Sequence, residues 1–335
     1  MKIKRMGRTG LKISEICLGT MTFGRQSDEA TAFAIMDVAA NCGVNFLDTA
    51  DIYPVPPSLE LVGRTEEIVG KWLKGKRDRF IVATKCGNPT GEKPNDRGLS
   101  RKHVLEAIEA SLRRLQTDFI DIYFVHLPDP ETPIEETLRA LDDLVRSGKV
   151  RYLGCSNFTA WQIAKSLWTS DRHGFSRFEV VQPRYNLLYR EIENEILPLC
   201  QDEELGVVTF NPLAAGFLTG KYQKGLEPAD NTRFGLFREP DSLYRERYWK
   251  DHHFRAVEDL RKFFVPRQRL LIHVALAWVL SRQGITSAIV GASRPEQLQE
   301  SLSGLDVRLD EEEIKFCNSI WFTLPRPADP RYALR

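Results

Sequence analysis

Six cysteines in 335 residues include no Cys-x-x-Cys pair, so neither a zinc site nor a disulfide framework is suggested. Reduced thiols in a cytoplasmic protein are the expectation. No apolar run reaches the roughly 18 residues that a membrane-spanning helix needs, and Met1 to Gly7 lack the continuous apolar core of a secretory signal. Neither sign of charge prevails, because 47 Lys and Arg face 46 Asp and Glu for a net of +1. Nucleic acid and membrane are therefore not expected partners, and nothing in the pattern specifies an oligomer. The Gly-x-Gly-x-x-Gly turn of an open, doubly wound sheet is missing after the first strand of the main fold. Low-complexity tracts are absent too.

What is present is a regular β-α alternation behind a short preface. Residues 2 to 13, with Gly7 and Gly10, predict a β-hairpin. From Ser14 onward, short apolar runs alternate with helical periods. Strands are expected at 16–18, 45–48, 80–85, 120–126, 151–156, 179–182, 207–210 and 287–290. Helices are expected at about 28–42, 65–75, 100–115, 133–147, 159–170, 191–203, 253–264 and 269–283. Eight strands separated by helices predict an α/β fold, a (β/α)8 TIM barrel, and 335 residues suit one such domain over 1–335. Residues 222–250, rich in Pro, Gly, Arg and aromatics, make a long loop after the seventh strand. Arg233, Phe234, Phe237, Tyr244, Tyr248 and Trp249 mark it as a cover. Trp321 to Pro327 reads as a proline-punctuated tail.

The stretch Asn45-Phe46-Leu47-Asp48-Thr49-Ala50-Asp51-Ile52-Tyr53 stands out, because two acids interrupt a buried strand as it passes into a loop. A strand end with an Asx-turn would account for it alone. Two later strands also end in titratable residues, Lys85 and His126. Singly these suit a snorkelling lysine and a satisfied core histidine. In a barrel all strand C-termini share one mouth, which puts Asp48, Tyr53, Lys85 and His126 together.

Leu18-Gly19-Thr20, Asp48 to Tyr53, Thr84-Lys85, Val125-His126, Gly154 to Phe158, Gln182, Asn211-Pro212-Leu213 and Gly291 to Gln297 follow one another in an order that resembles the aldo-keto reductase superfamily. The resemblance covers nearly the whole chain. It is nearest the bacterial, shorter-looped members, and the barrel is similar also to potassium-channel β-subunits. It implies an NADPH-dependent oxidoreductase that reduces a small-molecule aldehyde or ketone, with Asp48, Tyr53, Lys85 and His126 as the catalytic tetrad and Tyr53 as general acid. The implied cofactor contacts are Gly19, Thr20, Asp48, Ser156, Asn157, Gln182, Phe210, Asn211, Leu213, Gly216, Lys221, Arg233, Gly291, Ser293, Arg294, Gln297 and Glu300. Phe210 stands where the family often has Tyr or Trp, and Glu300-Ser301 where it commonly has Glu-Asn. A redox-sensing regulatory subunit on the same barrel is the alternative, and a lyase or isomerase barrel for phosphorylated substrates is a third reading.

The chemistry of the tetrad is independent of the resemblance. Hydride arriving at a carbonyl carbon leaves charge on oxygen, which calls for a proton donor and a fixed positive charge. A lysine about 4 Å from a tyrosine, at an effective dielectric near 20, favours the phenolate by roughly 4 kcal/mol, or about three pKa units. Asp48 then keeps Lys85 charged. Phe23, Tyr53, Pro54, Leu127, Trp249 and Trp321 are the expected apolar mouth.

Overall fold

In the computed structural model, which describes residues 1–239 and 242–325, the chain opens with the expected hairpin. Strand β1 (Ile3–Arg5) pairs antiparallel with β2 (Lys12–Ser14). Met6 and Ile13 are fully buried and join Cys17, Phe46, Ile122 and Val208 in a cluster inside the barrel. The hairpin is therefore a plug. Its turn must lie close against the barrel: Gly7 has φ +52°, and a Cβ there would come 2.4 Å from the Glu204 carbonyl oxygen. Only glycine satisfies both conditions.

Eight parallel strands follow: β3 (Ile16–Gly19), β4 (Phe46–Asp48), β5 (Ile81–Cys86), β6 (Ile120–Val125), β7 (Val150–Ser156), β8 (Phe178–Gln182), β9 (Gly206–Thr209) and β10 (Ser287–Gly291). Strand β10 pairs with both β9 and β3, so the sheet closes and the open-sheet alternative is excluded. Closure turns all eight strand ends toward one face. Strand β9 stops at Thr209, one residue short of expectation. Phe210 is left in a lone bridge to Arg184 at the mouth.

Helices α1 (Glu29–Asn41), α2 (Arg64–Leu73), α3 (Arg101–Leu115), α4 (Ile134–Arg146) and α5 (Ala160–His173) coat the barrel near their expected bounds. Ser100 caps α3 by accepting from the His103 N–H. The expected helix over 191–203 is instead a turn at Glu191–Glu193 and a short α6 (Ile196–Asp202). Pro198 explains the break, because proline is tolerated in a first helical turn but not in an interior.

The long segment after β9 is built rather than loose. It holds α7 (Arg233–Leu236) and α8 (Leu243–Tyr248), and runs into α9 (Asp251–Phe264) and α10 (Leu271–Ser281). Neither α7 nor α8 was foreseen. Aromatic packing fixes the segment: Tyr222–Phe234 at 4.9 Å, Phe234–Trp249 at 5.0 Å and Trp249–Phe254 at 5.0 Å between ring centroids. After β10 come α11 (Pro295–Ser303) and α12 (Glu311–Thr323). Helix α12 corrects the expected tail, since Trp321, Phe322 and Thr323 are its last residues. Its overlooked signal is the capping box of Asp310 and Glu313. Arg326 and Pro327 lie outside the described residues, as do Pro240 and Asp241 of the cover. No single helix among the described residues is long and apolar enough to cross a membrane.

Candidate active site

Asp48 is the last residue of β4, and Lys85 the penultimate residue of the neighbouring β5. Both lie inside the barrel, Lys85 wholly buried and Asp48 3% exposed. Lys85 Nζ donates to Asp48 Oδ2 at 2.6 Å and to the Thr49 carbonyl at 2.8 Å. The other Asp48 oxygen accepts from Gln182 Nε2 at 2.7 Å. The Tyr53 ring centre is 5.1 Å from Lys85 Nζ. His126, just past β6, meets Tyr53 edge to face, with centroids 5.9 Å apart. The four expected residues thus form one group.

Burial works to lower the Lys85 pKa, but Asp48 and Tyr53 outweigh it, and the ammonium is held above its ordinary value. Burial pushes the Tyr53 hydroxyl up to about 12, against the opposing pull of Lys85. The expected lowering by Lys85 is therefore present in direction but loses to desolvation. His126 is driven well below its ordinary value by burial first and by the Lys85 charge second. It is neutral near pH 7.

These groups open into a cavity of about 1040 Å³. Every expected site residue lines it except Lys85, which lies beneath its floor. At one end Asn157 Nδ2 donates to the His126 carbonyl and to Ser156 Oγ, each at 3.0 Å, and Ser156 Oγ donates to the Gln182 carbonyl at 2.9 Å. Asn157 and Asn211 hold φ of 61° and 58°, a conformation that asparagine tolerates better than most residues. Phe210 also lines the cavity. Gly19, Thr20, Leu213 and Gly291 supply the adjoining walls.

The other end is electropositive. Lys221, Arg233 and Arg294 line it, and the Lys221 pKa is lowered by burial and then by the charges of Arg294 and Arg233. One buried Arg233 nitrogen, Nη1, has no hydrogen-bond partner. Ala214, Ala215 and Gly216 all have positive φ, and a Cβ on Gly216 would lie 3.1 Å from Lys221 Nζ. Arg294 occupies the N-cap position of α11, with no side-chain capping bond, and Pro295 follows in the first turn. Gln297 Oε1 accepts from both the backbone N–H and the hydroxyl of Ser293, at 3.0 Å each. Glu300, two turns into α11, also lines the cavity. Ser301 Oγ donates back to the Gln297 carbonyl. Three crowded cations beside a helix N-terminus fit phosphate oxygens.

Other lining residues escaped notice as site residues: Met21, Thr22 and Gln26 after β3, Asn88 after β5, and Tyr244 and Arg247 on α8. Gln26 Nε2 donates to the Asn231 carbonyl while its buried Oε1 has no partner. Its proximity to the Gly19-Thr20 turn was the available signal. The expected apolar mouth needs correction. Tyr53 and Leu127 line the cavity. Phe23 and Pro54 are buried, Trp249 packs among Phe217, Tyr222 and Phe254, and Trp321 meets Tyr189 at 6.4 Å. Among the described residues no cluster of three or more His, Cys, Asp or Glu is placed to hold a metal.

The aldo/keto reductase family profile matches residues 15–321. The chain belongs to that family. It is 38% identical to the "uncharacterized oxidoreductase YrpG" of Bacillus subtilis, over 96% of each chain. It is also 38% identical to a probable voltage-gated potassium channel subunit beta of Arabidopsis thaliana, over 92% of each. Versiconal hemiacetal acetate reductase of Aspergillus parasiticus shares 34% identity over 94% of this chain and 96% of its own. This aldo/keto reductase is accordingly an oxidoreductase of a carbonyl-reducing family whose members generally use a nicotinamide cofactor.

Proposed function

We propose that this aldo/keto reductase is an NADPH-dependent reductase of small-molecule aldehydes or ketones, acting in the cytoplasm, with Tyr53 as general acid. The observation that carries the reading is the buried Lys85–Asp48 pair at 2.6 Å beneath Tyr53, opening into a cavity whose far end gathers Lys221, Arg233 and Arg294. The cations, with the N-terminus of α11, would hold the phosphates, and Ser156, Asn157, Gln182 and Phe210 the nicotinamide. When bound, the cofactor supplies a hydride to the carbonyl carbon. As the C=O π bond opens, the oxygen takes the Tyr53 proton, leaving an alcohol and a tyrosinate. Lys85 stabilises that tyrosinate by charge, and Asp48 holds Lys85 in its protonated form and in place. Tyr53 recovers its proton from solvent once the product leaves. His126, neutral in this setting, can donate one hydrogen bond to the same oxygen and orient it. Six free cysteines, five of them buried, agree with a reducing compartment.

The Arabidopsis relative is named a probable voltage-gated potassium channel subunit beta, so a regulatory subunit is the competing reading. The tetrad's geometry favours turnover, because a cofactor-sensing role makes no demand for a general acid over an ion pair. The test is consumption of NADPH, followed by its absorbance, with benzaldehyde as substrate. Tyr53→Phe should lower turnover on the order of 10²- to 10⁴-fold with cofactor binding retained. Near-normal turnover in that variant would remove Tyr53 as the acid.

A further inference from the structure

Asn186, shortly past the end of β8 at Gln182, is fully buried where three segments meet. Its backbone exchanges hydrogen bonds with Tyr189 in a tight turn, and its Oδ1 accepts from the Leu188 N–H at 2.9 Å. Its amide nitrogen serves two acceptors outside that turn. Nδ2 donates to the Asn211 carbonyl at 2.9 Å and to the Tyr248 hydroxyl at 3.0 Å. The Asn211 carbonyl also takes the Ala214 N–H at 2.9 Å, and Asn211, with φ of 58°, opens the turn that leads to Gly216 and Lys221. A backbone in that region persists only where its surroundings impose it. Tyr248 is fully buried and ends α8. Leu243 and Tyr244, at the start of that helix, line the cavity, and Tyr244 is near enough to Tyr53 for their charges to interact. A helix this short is not stable by itself, so contacts such as the one at Tyr248 decide where α8 sits.

We infer that Asn186 is a positioning residue for the reaction proposed above, a single amide that sets the cofactor wall at Asn211 and the substrate wall on α8 relative to each other. The inference rests on that reading for which wall meets which ligand. An amide is what the position demands: it offers two N–H donors and an acceptor, all of them engaged, whereas an ionised Asp would turn an acceptor toward the Asn211 carbonyl. None of these hydrogen bonds touches Asp48, Tyr53, Lys85 or His126. Loss of Asn186 should therefore move binding and leave the chemical step alone.

The test reads the benzaldehyde KM and kcat at saturating NADPH, and the dissociation constants of both nicotinamide cofactors by quenching of intrinsic fluorescence. Tyr248→Phe cuts only the link to α8, so the KM should rise roughly 2- to 13-fold, the range of one net hydrogen bond, with kcat and NADPH affinity almost unchanged. Asn186→Leu cuts both links. Its KM should rise at least as far, and NADPH and NADH should weaken together by a similar factor. The double variant should show the KM of Asn186→Leu alone, because the link to α8 is already gone. Additive increases in KM overturn the inference, and so does an Asn186→Leu protein that melts earlier but keeps the wild-type KM and cofactor affinities. Should Asn186→Leu not fold, Tyr248→Phe decides by itself: an unchanged KM, or a loss in kcat in place of a rise in KM, refutes the link. No turnover by the wild type with either cofactor would sink the reductase reading, while unaltered cofactor affinities in Asn186→Leu would still sink this one.

Discussion

Lys85 Nζ lies 2.6 Å from Asp48 Oδ2 with neither side chain more than 4% exposed. A single buried ammonium would shed its proton, and a single buried carboxylate would acquire one. Asp48, with Gln182 on its second carboxylate oxygen, keeps Lys85 charged. The pair is thus a stored positive field aimed at the one cavity wall where Tyr53 and His126 meet.

Removing Lys85 should cost both chemistry and fold. In Lys85→Met the tyrosinate formed during turnover loses its counter-charge, and Asp48 retains only Gln182 inside the barrel. Turnover should fall by at least 10³-fold, within the range of general-acid and electrostatic losses combined. Breaking a buried pair by deleting one partner typically costs about 3–5 kcal/mol, so the melting temperature should drop as well. Raising the pH should not recover activity, because without Lys85 the Tyr53 hydroxyl only becomes a weaker acid. Recovery at alkaline pH, in a rate profile of the variant, would contradict the assignment.

His126 is held well below its ordinary value, so it should carry no charge through the neutral range. With Tyr53 pushed up to about 12, the donor stays loaded over the same interval. The kcat/KM for reduction should be flat between about pH 6 and 8, with no break near the ordinary histidine value of about 6.5. A one-proton inflection there, lost in His126→Asn, would show that His126 titrates during catalysis.

Much of this arrangement was legible before any coordinates, for reasons that differ by element. The strand ends at Asp48, Lys85 and His126 could be found because each closes a short apolar run, and barrel closure then brings them together without further information. Helices α7 and α8 could not be found, since four and six residues are too few to display a helical period. Tyr244 reaches the cavity wall while its ring packs on Phe237 and Arg233, a tertiary relation with no spacing signature. Trp249 and Trp321 misled for the same reason: composition marks an aromatic as worth burying but not what buries it. The Tyr53 shift was misjudged because a pairwise Coulomb estimate omits the desolvation that here outweighs it.

Asp51, next to this site in sequence, should behave in the opposite sense to an ordinary surface acid. It is wholly buried, and neither carboxyl oxygen has a hydrogen-bond partner. Burial first and Glu66 second raise its pKa well above 3.8, against the charges of Arg114 and Lys85. The folded state therefore holds this proton more tightly than the unfolded one. That contribution to stability is full below about 3.8 and is lost as pH rises toward the folded value, with a slope of at most about 1.4 kcal/mol per pH unit. Asp51→Asn carries a neutral side chain of the same shape at every pH. Its melting temperature should gain on the wild type as pH rises from 4 toward neutrality (about one proton's worth). A constant difference across that range would mean that Asp51 does not change protonation there.

The last prediction concerns which nicotinamide cofactor the cations prefer. Burial first, and the charges of Arg294 and Arg233 after it, lower the Lys221 pKa, so a bound anion should be what relieves the three cations. NADH offers its pyrophosphate, and NADPH offers a further 2′-phosphate at the adenosine end. Arg294 occupies the N-cap position of α11 without a side-chain capping bond, where the first-turn N–H groups and the positive end of the helix dipole favour an anion. Ser293 and Gln297 brace each other beside it, and Arg294 adds a permanently charged fork shaped for phosphate oxygens. Lys221 stands against the Gly216 turn after β9, with the Arg233 charge acting on it, which suits the pyrophosphate shared by both cofactors. Arg294→Ala should then weaken NADPH by roughly 10- to 150-fold, the range of one charge-assisted contact, and leave NADH almost unchanged. Arg233→Met should weaken both to similar degrees. Dissociation constants from fluorescence quenching at fixed salt would separate the two patterns. Equal loss of both cofactors in Arg294→Ala, or a wild type that binds NADH more tightly than NADPH, would refute the 2′-phosphate assignment.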